Sequence, residues 1–421
     1  MVISARGSRT NSKPRRNGAS VSRKLTQLSL ALDSTDHGKN SDHESAGPTR
    51  FAAAEFFAGI GLVRLALEQE GIRVAFANDI DPDKQHLYEQ NFDARDFCLG
   101  DIHELAAKDL PDCDLFTASF PCNDLSIAGS MKGLNAGQSS AFWGLVDLVK
   151  GLKSRRPSVV LLENVPGFLM SDEGRDLEKA LLALNELGYA VDAIMVDASN
   201  FVPQSRLRLF IVAKLGVAGR SYAEMPPSEL RPRALAEFIV SHPDIRWDVI
   251  DLPPIVNVRK PLKSVIENLP DDHPAWWSEK RVAYFMSQLS ERHHAMAKSM
   301  IDAKTVSYGT AFRRVRHGRS MAELRTDGVA GCLRTPRGGS GRQILFKAGK
   351  GRYQVRLLSA RECARLQGVP DDYKIDVPLN KALFGFGDAV CVPAVAWIAK
   401  HYLLPELTRL SSRRNQGCVE E

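Results

Sequence analysis

The sequence predicts an α/β fold with a doubly wound, mostly parallel sheet and a smaller, irregular second domain. Three observations support this prediction. Short apolar runs alternate with amphipathic stretches from residue 51 onward, the pattern of strands joined by helices. Polar residues follow each apolar run, as they do at the carboxyl ends of parallel strands, where ligands bind in open sheets. About 140 residues between Ala213 and Arg356 depart from this alternation.

The first three predicted strands end in residues that suit a nucleotide ligand. The run FAAAEFF predicts a strand, and Gly59 and Gly61 in the following turn would let a ligand approach the backbone at a helix N-terminus. The second strand ends at Asp79, twenty residues after Gly59, which is the spacing at which an acid binds ribose hydroxyls. The third ends at Asp101, which either accepts a hydrogen bond from an adenine amine or caps the next turn.

The fourth and fifth predicted strands end in a thiol and a carboxylate. The apolar run 115–119 leads into Phe120, Pro121 and Cys122, and the fixed φ of the proline gives the thiol a defined direction. The next strand ends at Glu163 and Asn164. A lone cysteine is usually a packing residue, and one acid can be a structural hydrogen-bond partner. A thiol and an acid at neighbouring strand ends instead indicate an active site.

Composition sets the broad class of the protein. Of its 421 residues, 44% are hydrophobic, which is ordinary for a globular protein. No apolar run of roughly 18 residues predicts a membrane span, and no signal-peptide core is present, so we expect a cytoplasmic protein without a membrane partner. The seven cysteines form no C-x-x-C pair, so neither a disulfide framework nor a metal site is indicated. Between residues 301 and 360, thirteen Lys or Arg residues face three acids, which favours a phosphate-rich partner.

At these motifs the chain resembles the DNA (cytosine-5-)-methyltransferase family. The resemblance extends over about 340 residues and rests on eight matches in the order that the family shows. Three positions depart from the family's pattern: Asn123 stands where glutamine is usual, Asp388 where asparagine is common, and Leu62 where glycine is frequent. The matches are FFAGIG (56–61), Asp79, GDI (100–102), PCNDLS (121–126), ENVPG (163–167), QSRLR (204–208), RLLSARECARLQGVPDDY (356–373) and GDAVCVPAVAWI (387–398).

The resemblance implies a Rossmann-like fold of S-adenosylmethionine-dependent methyltransferases, with that cofactor as methyl donor and no metal. Its partner would be double-stranded DNA, with or without a cognate restriction endonuclease that acts on the same site. We expect a monomer that associates with the bacterial nucleoid through DNA. The expected organisation is a disordered basic arm at 1–50, a catalytic and cofactor-binding domain at 51–213, a target-recognition domain at 214–355, a return to the catalytic domain at 356–405 and a C-terminal tail at 406–421.

The resemblance also assigns catalytic roles. Cys122 would add to C6 of the target cytosine, Glu163 would hold the N3 edge, and Asn164 would orient the Glu163 loop. Arg206 and Arg208 are two residues apart on a predicted strand, so we expect both on one face, toward the cytosine O2 and the adjacent phosphate. Because a duplex hides C6, the base would be flipped out, and the loop 126–140 would close over it.

Two further groups of residues are implied to bind ligands. Phe57 would stack on adenine, Asp79 would bind ribose, and Asp388 and Val390 would contact the other end of the cofactor. The implied cofactor-binding residues are Phe57, Gly59, Gly61, Asp79, Ile80, Asp101, Ile102, Pro121, Asp388 and Val390. The predicted DNA-binding residues are Ser126, Gln204, Arg334, Arg337 and Arg342, with phosphate contact favoured over base readout for each arginine.

Two alternatives from other classes remain at this point. One is a tRNA-directed cytosine-5 methyltransferase with the same catalytic blocks, although the Cys-Phe-Thr motif of those enzymes is absent from the sequence. The other is a catalytically inactive DNA-binding regulator. Such a protein would normally have lost the thiol or the acid, and both Cys122 and Glu163 are present.

Overall fold

A seven-stranded sheet forms the centre of the protein in the computed structural model, which describes residues 50–121, 141–316, 318–336 and 341–417. Its strands are β1 Phe51–Phe56, β2 Ile72–Asp79, β3 Phe97–Leu99, β4 Leu115–Ala118, β5 Val159–Asn164, β6 Tyr189–Asp197 and β7 Leu207–Leu215. Their order across the sheet is β3-β2-β1-β4-β5-β7-β6, and only β7 runs antiparallel to its neighbours. The strand order reverses between β1 and β4, which is where open sheets bind ligands. The predicted mostly parallel, doubly wound sheet is confirmed.

Helices cover both faces of this sheet because its strands are apolar on both sides. Successive side chains of a strand point to opposite faces, so Ala53 of β1 lies in one apolar cluster and Ala54 in the other. The first cluster includes helices of the C-terminal segment. The helices are α1 Leu62–Gln69, α2 Pro82–Glu89, α3 Ala141–Gly151, α4 Arg175–Glu186, α5 Arg233–Ser241, α6 Glu279–Ser287, α7 Glu291–Asp302, α8 Ala360–Leu366, α9 Leu379–Asp388, α10 Val392–Ile398 and α11 Leu404–Gly417.

A four-stranded antiparallel sheet forms a separate, smaller layer. Its strands are β8 Ser307–Arg316, β9 Arg319–Arg325, β10 Ile344–Gly349 and β11 Arg352–Leu357, in the order β11-β10-β8-β9. Apolar side chains of α6 and α7, including Phe285, pack against the sheet residues Ile344 and Phe346. The sequence predicts Trp247, Trp276 and Trp277 as core anchors of the stretch 216–292. Trp247 is fully buried, within the apolar cluster of the large sheet, and the other two are partly buried.

The chain returns to the large sheet through α8. Ser359 and Glu362 form a capping box at the start of this helix, and Glu362 also accepts hydrogen bonds from buried Arg356 and from the backbone N of Glu267. The segment Leu379–Arg413 is long and apolar enough to cross a membrane by length and composition. Because 67% of its most apolar window is buried inside the protein, it serves here as a core segment.

Candidate active site

The carboxyl ends of β1, β2, β4 and β5 meet at one edge of the large sheet. The turn after β1 has left-handed backbone at Phe57, Gly59 and Gly61, with φ values of 57°, 58° and 80°. Glycine suits such positions because it has no Cβ. Asp79 at the end of β2 holds this turn: its Oδ2 accepts a hydrogen bond from Gly59 N at 2.8 Å, and its Oδ1 accepts one from Asp81 N at 2.9 Å. The side chain predicted to bind ribose therefore also shapes the glycine turn.

Other predicted cofactor residues line the same edge in different ways. Ile80 is 66% exposed, which leaves a large apolar side chain open beside the acids. Asp101 caps the turn Ile102–Glu104 by accepting a hydrogen bond from His103 N at 3.0 Å, so the capping alternative is present in the structure. Ile102 and Val390, also predicted to bind the cofactor, are both buried.

An ion pair marks the end of β5. Arg208 Nε lies 2.9 Å from Glu163 Oε1, and both side chains are mostly buried. Asn164 follows directly: its Oδ1 accepts a hydrogen bond from Val165 N, and its Nδ2 donates to Phe120 O at 3.4 Å. This contact ties the end of β5 to the segment that leads from β4 to Pro121. Cys122, Ser126 and the loop to residue 140 lie outside the described residues.

The predicted direction of Arg206, toward a substrate, is not the one in the structure, although its guanidinium and that of Arg208 both approach Cys332 Sγ. The Arg206 side chain is buried and donates hydrogen bonds to the carbonyl oxygens of Leu333, Gly387 and Ala389. Arg206 precedes β7, whose first residue is Leu207, so strand alternation does not govern its direction. We conclude that Arg206 joins the segment before β10 to the end of α9 through hydrogen bonds to backbone carbonyl groups.

The end of α9 packs closely against the segment before β10 at Gly387 and Thr335. A Cβ on Gly387 would lie 2.5 Å from Thr335 N, so no larger residue fits without moving the backbone. Gln204, predicted to bind DNA, is also buried here, and its contacts are to Leu366 O and Leu333 N. In this structure the polar atoms of Gln204 therefore join segments of the protein, and the predicted DNA contact of this side chain stays a prediction.

The predicted DNA-binding arginines lie at different places. Arg334 is exposed, and Arg342 is partly buried and donates a hydrogen bond to Asn380 Oδ1. Arg337 lies outside the described residues. The tip of the β8–β9 hairpin adds exposed cations at Arg314, Arg316 and Arg319. These positions give the small sheet a basic surface on the described part of the chain.

Cys332 is not among the residues predicted for the site, yet its thiol lies beside the ion pair. Its Sγ is 3.3 Å from Arg206 Nη1 and 4.0 Å from Arg208 Nη2. Burial by itself would raise the pKa of the Cys332 thiol, but the guanidinium groups of Arg206, Arg208 and Arg334 outweigh it and lower the pKa below its ordinary value. A thiol more than 120 residues away in sequence thus shares the electrostatic environment of Glu163.

Burial also acts on Arg206 itself. It lowers the pKa of the Arg206 guanidinium, and the neighbouring charge of Arg208 acts in the same direction. Among the residues that the structure describes, no carboxylate lies within 4.0 Å of this guanidinium. The described residues also contain no group of three or more His, Cys, Asp or Glu side chains placed to hold a metal ion.

The sheet order, the glycine turn and the acid at the end of β5 together define an α/β enzyme with a nucleotide-type cofactor crevice. Residues 51–403 match the family profile described as C-5 cytosine-specific DNA methylase. The chain belongs to this family of methyltransferases. The resemblance predicted from the sequence motifs, and the predicted class of DNA (cytosine-5-)-methyltransferase, are confirmed.

Individual relatives agree with this assignment. The chain is 29% identical over 351 residues to the Type II methyltransferase M.HhaI of Haemophilus parahaemolyticus, which covers 82% of this chain and 92% of that protein. It is 28% identical to the Type II methyltransferase M.NgoBI of Neisseria gonorrhoeae, over 82% of this chain and 90% of that protein. The crystal structure of S. pombe Dnmt2 methyltransferase shares the fold with a TM-score of 0.55 and 19% identity, over 83% and 96% of the two chains.

Proposed function

We propose that the protein methylates C5 of a cytosine that is flipped out of double-stranded DNA within a specific short sequence. The observation that carries this proposal is the ion pair at the end of β5. Arg208 holds the Glu163 carboxylate in a mostly buried position, and Asn164 ties it to the segment that leads to Cys122. An oriented carboxylate, Glu163, near the segment that leads to the Cys122 thiol suits the addition of a sulfur nucleophile to a pyrimidine ring.

The crevice residues fit S-adenosylmethionine as the methyl donor. A Cβ on Gly59 would meet no atom closer than 3.9 Å, so the backbone of the turn is open to a ligand. Exposed Ile80 offers an apolar surface for an adenine ring, and the carboxylates of Asp79 and Asp101 lie nearby on the same sheet edge. When bound, this cofactor would supply an electrophilic methyl group to C5 of the cytosine.

The protein's own residues would activate the base. The Cys122 thiolate would form a bond to C6, which makes C5 electron-rich, while Glu163 would hold the N3 edge and share a proton there. Arg208 would keep the Glu163 carboxylate oriented through their 2.9 Å contact. After methylation, loss of the C5 proton to a base would let the Cys122–C6 bond break and release the thiolate.

Duplex DNA is the proposed acceptor because exposed cations lie on the β8–β9 hairpin and on the segment between β9 and β10. Arg334, Arg314, Arg316 and Arg319 are exposed, and their charges suit phosphate contact. M.HhaI and M.NgoBI are both Type II methyltransferases, so we extend to this chain a role in restriction and modification, with a cognate endonuclease or alone. We propose that it acts as a monomer on DNA in the cytoplasm.

Bisulfite sequencing tests this proposal. The gene is expressed in a bacterial host, and plasmid DNA is sequenced after bisulfite treatment, with expression of a Cys122→Ala variant as the matched control. We expect protected cytosines within one short sequence for the wild type and none for the variant. Unprotected DNA, together with methyl transfer by the purified protein to tRNA, would contradict the choice of DNA as substrate.

A further inference from the structure

A lysine that the family motifs do not include lies beside the glycine turn of the proposed cofactor crevice. Lys84 lies in α2, and its ammonium is 2.9 Å from Asp388 Oδ2 at the end of α9. A Cβ built on Gly59 would lie 4.0 Å from Lys84 Cδ, so the lysine stem runs beside the glycine turn. The Lys84 side chain is 19% exposed and that of Asp388 is 46% exposed, so the pair lies at a partly solvated edge of the crevice.

The surroundings of this ammonium are acidic. Burial alone would lower the pKa of Lys84, but the carboxylates of Asp388, Asp79 and Asp81 outweigh burial and raise it. Lys84 therefore stays charged at neutral pH. Asp388 contributes a full negative charge at a position where asparagine is common in the family, so the pair adds one charge of each sign to the crevice.

The two ligands that a methyltransferase must distinguish differ by one charge. The donor S-adenosylmethionine carries a positive sulfonium, whereas the spent product S-adenosylhomocysteine has a neutral thioether at the same atom. We propose that Lys84 and Asp388 set the preference between donor and product, with the lysine disfavouring the sulfonium and the aspartate favouring it. This inference rests on the proposed function, since it concerns the cofactor of the same site.

A purely structural role would produce a different result. The pair also joins α2 to α9, and a second ion pair, Lys381 Nζ to Asp83 Oδ1 at 2.7 Å, joins the same two helices. Both side chains of that second pair are about half exposed. If the only role of Lys84 is to hold α2 against α9, its loss should weaken the binding of S-adenosylmethionine and S-adenosylhomocysteine equally. Lys381→Met is thus a matched control for loss of one interhelical contact.

The test is isothermal titration of S-adenosylmethionine and S-adenosylhomocysteine into the purified full-length protein, without DNA. The variants are Lys84→Met, Asp388→Asn and Lys381→Met, and the readout is the ratio of the two dissociation constants. We expect Lys84→Met to shift the ratio toward the donor by about fivefold, as for one charge acting across a partly solvated crevice. Asp388→Asn should shift it toward the product by a similar factor, and Lys381→Met should leave it unchanged.

The outcomes separate this inference from the proposed function. Ratios that stay at the wild-type value in both crevice variants, or that shift in the same direction in both, would overturn the charge-selection role while leaving cofactor binding intact. A wild-type protein that binds neither compound would overturn the proposed function, and the inference with it. Added salt should shrink the opposite shifts, because ions screen partly exposed charges.

Discussion

Replacement of Glu163 by glutamine is expected to lower the rate of methyl transfer by about 10²- to 10⁴-fold, the range typical for loss of a general acid or base. Glutamine keeps the shape of the side chain but can neither share a proton with the cytosine N3 edge nor pair with a guanidinium. Arg208 Nε would lose the carboxylate that now lies 2.9 Å away. The measurement is single-turnover transfer of a labelled methyl group to duplex DNA.

A matched control exists on α1. Glu68 Oε1 lies 2.8 Å from Arg64 Nε, so Glu68→Gln removes an ion pair of the same geometry away from the strand ends. We expect this variant to transfer methyl groups at a rate within about twofold of the wild type, because Glu68 is 34% exposed and Arg64 keeps a second partner in Asp96 at 2.9 Å. If Glu163→Gln retained a rate comparable to that of Glu68→Gln, the catalytic assignment of Glu163 would fail.

The Glu55→Gln variant is expected to gain stability relative to the wild type as the pH rises. Glu55 is a fully buried residue of β1, and burial raises the pKa of its carboxyl from 4.5 to about 8, against the opposing charge of Arg64. The unfolded chain ionises Glu55 from about pH 4.5 upward, whereas the folded protein keeps its proton until about pH 8. The stability that the protonated form contributes is therefore present below pH 4.5 and is lost as the pH rises toward 8.

Glutamine mimics the protonated acid and does not titrate. The difference in the free energy of unfolding between variant and wild type should grow by about 1.4 kcal/mol per pH unit, or about 4 kcal/mol between pH 5 and pH 8. Denaturant titrations of both proteins across this range measure the difference, and subtraction cancels every other titrating group. Parallel stability curves for the two proteins would contradict a raised pKa for Glu55.

Local sequence patterns predicted much of the large sheet. Apolar runs of strand length, each followed by polar residues, correspond to β1, β4 and β5. Asp81 and Pro82 fit the pattern of a helix N-cap and a first helical residue, and Asp81 Oδ1 accepts a hydrogen bond from Asp83 N at the start of α2. These features depend on a few neighbouring residues, which is why single-sequence patterns are sufficient to find them.

Contacts between distant segments could not be predicted in this way. Arg206 was expected on a substrate-facing strand surface, but carbonyl groups near residues 333 and 387 surround it. Cys332 lies beside Arg208, and Lys84 pairs with Asp388. In each case the partner lies far away along the chain, so no local pattern indicates the contact. Glu55 stands within an apolar run, and nothing local to it signals how fully α1 and the neighbouring strands bury it.

The proposed mechanism depends on a covalent bond between Cys122 and the target cytosine. Duplex DNA that carries 5-fluorocytosine tests it, because fluorine at C5 cannot leave as a proton does and the sulfur–carbon bond would persist after methylation. We predict a denaturation-resistant complex that forms only with S-adenosylmethionine, maps by peptide mass spectrometry to Cys122 and is absent for Cys122→Ala. Absence of a complex, or a cross-link at Cys332, the thiol that lies 4.0 Å from Arg208, would show that Cys122 is not the nucleophile.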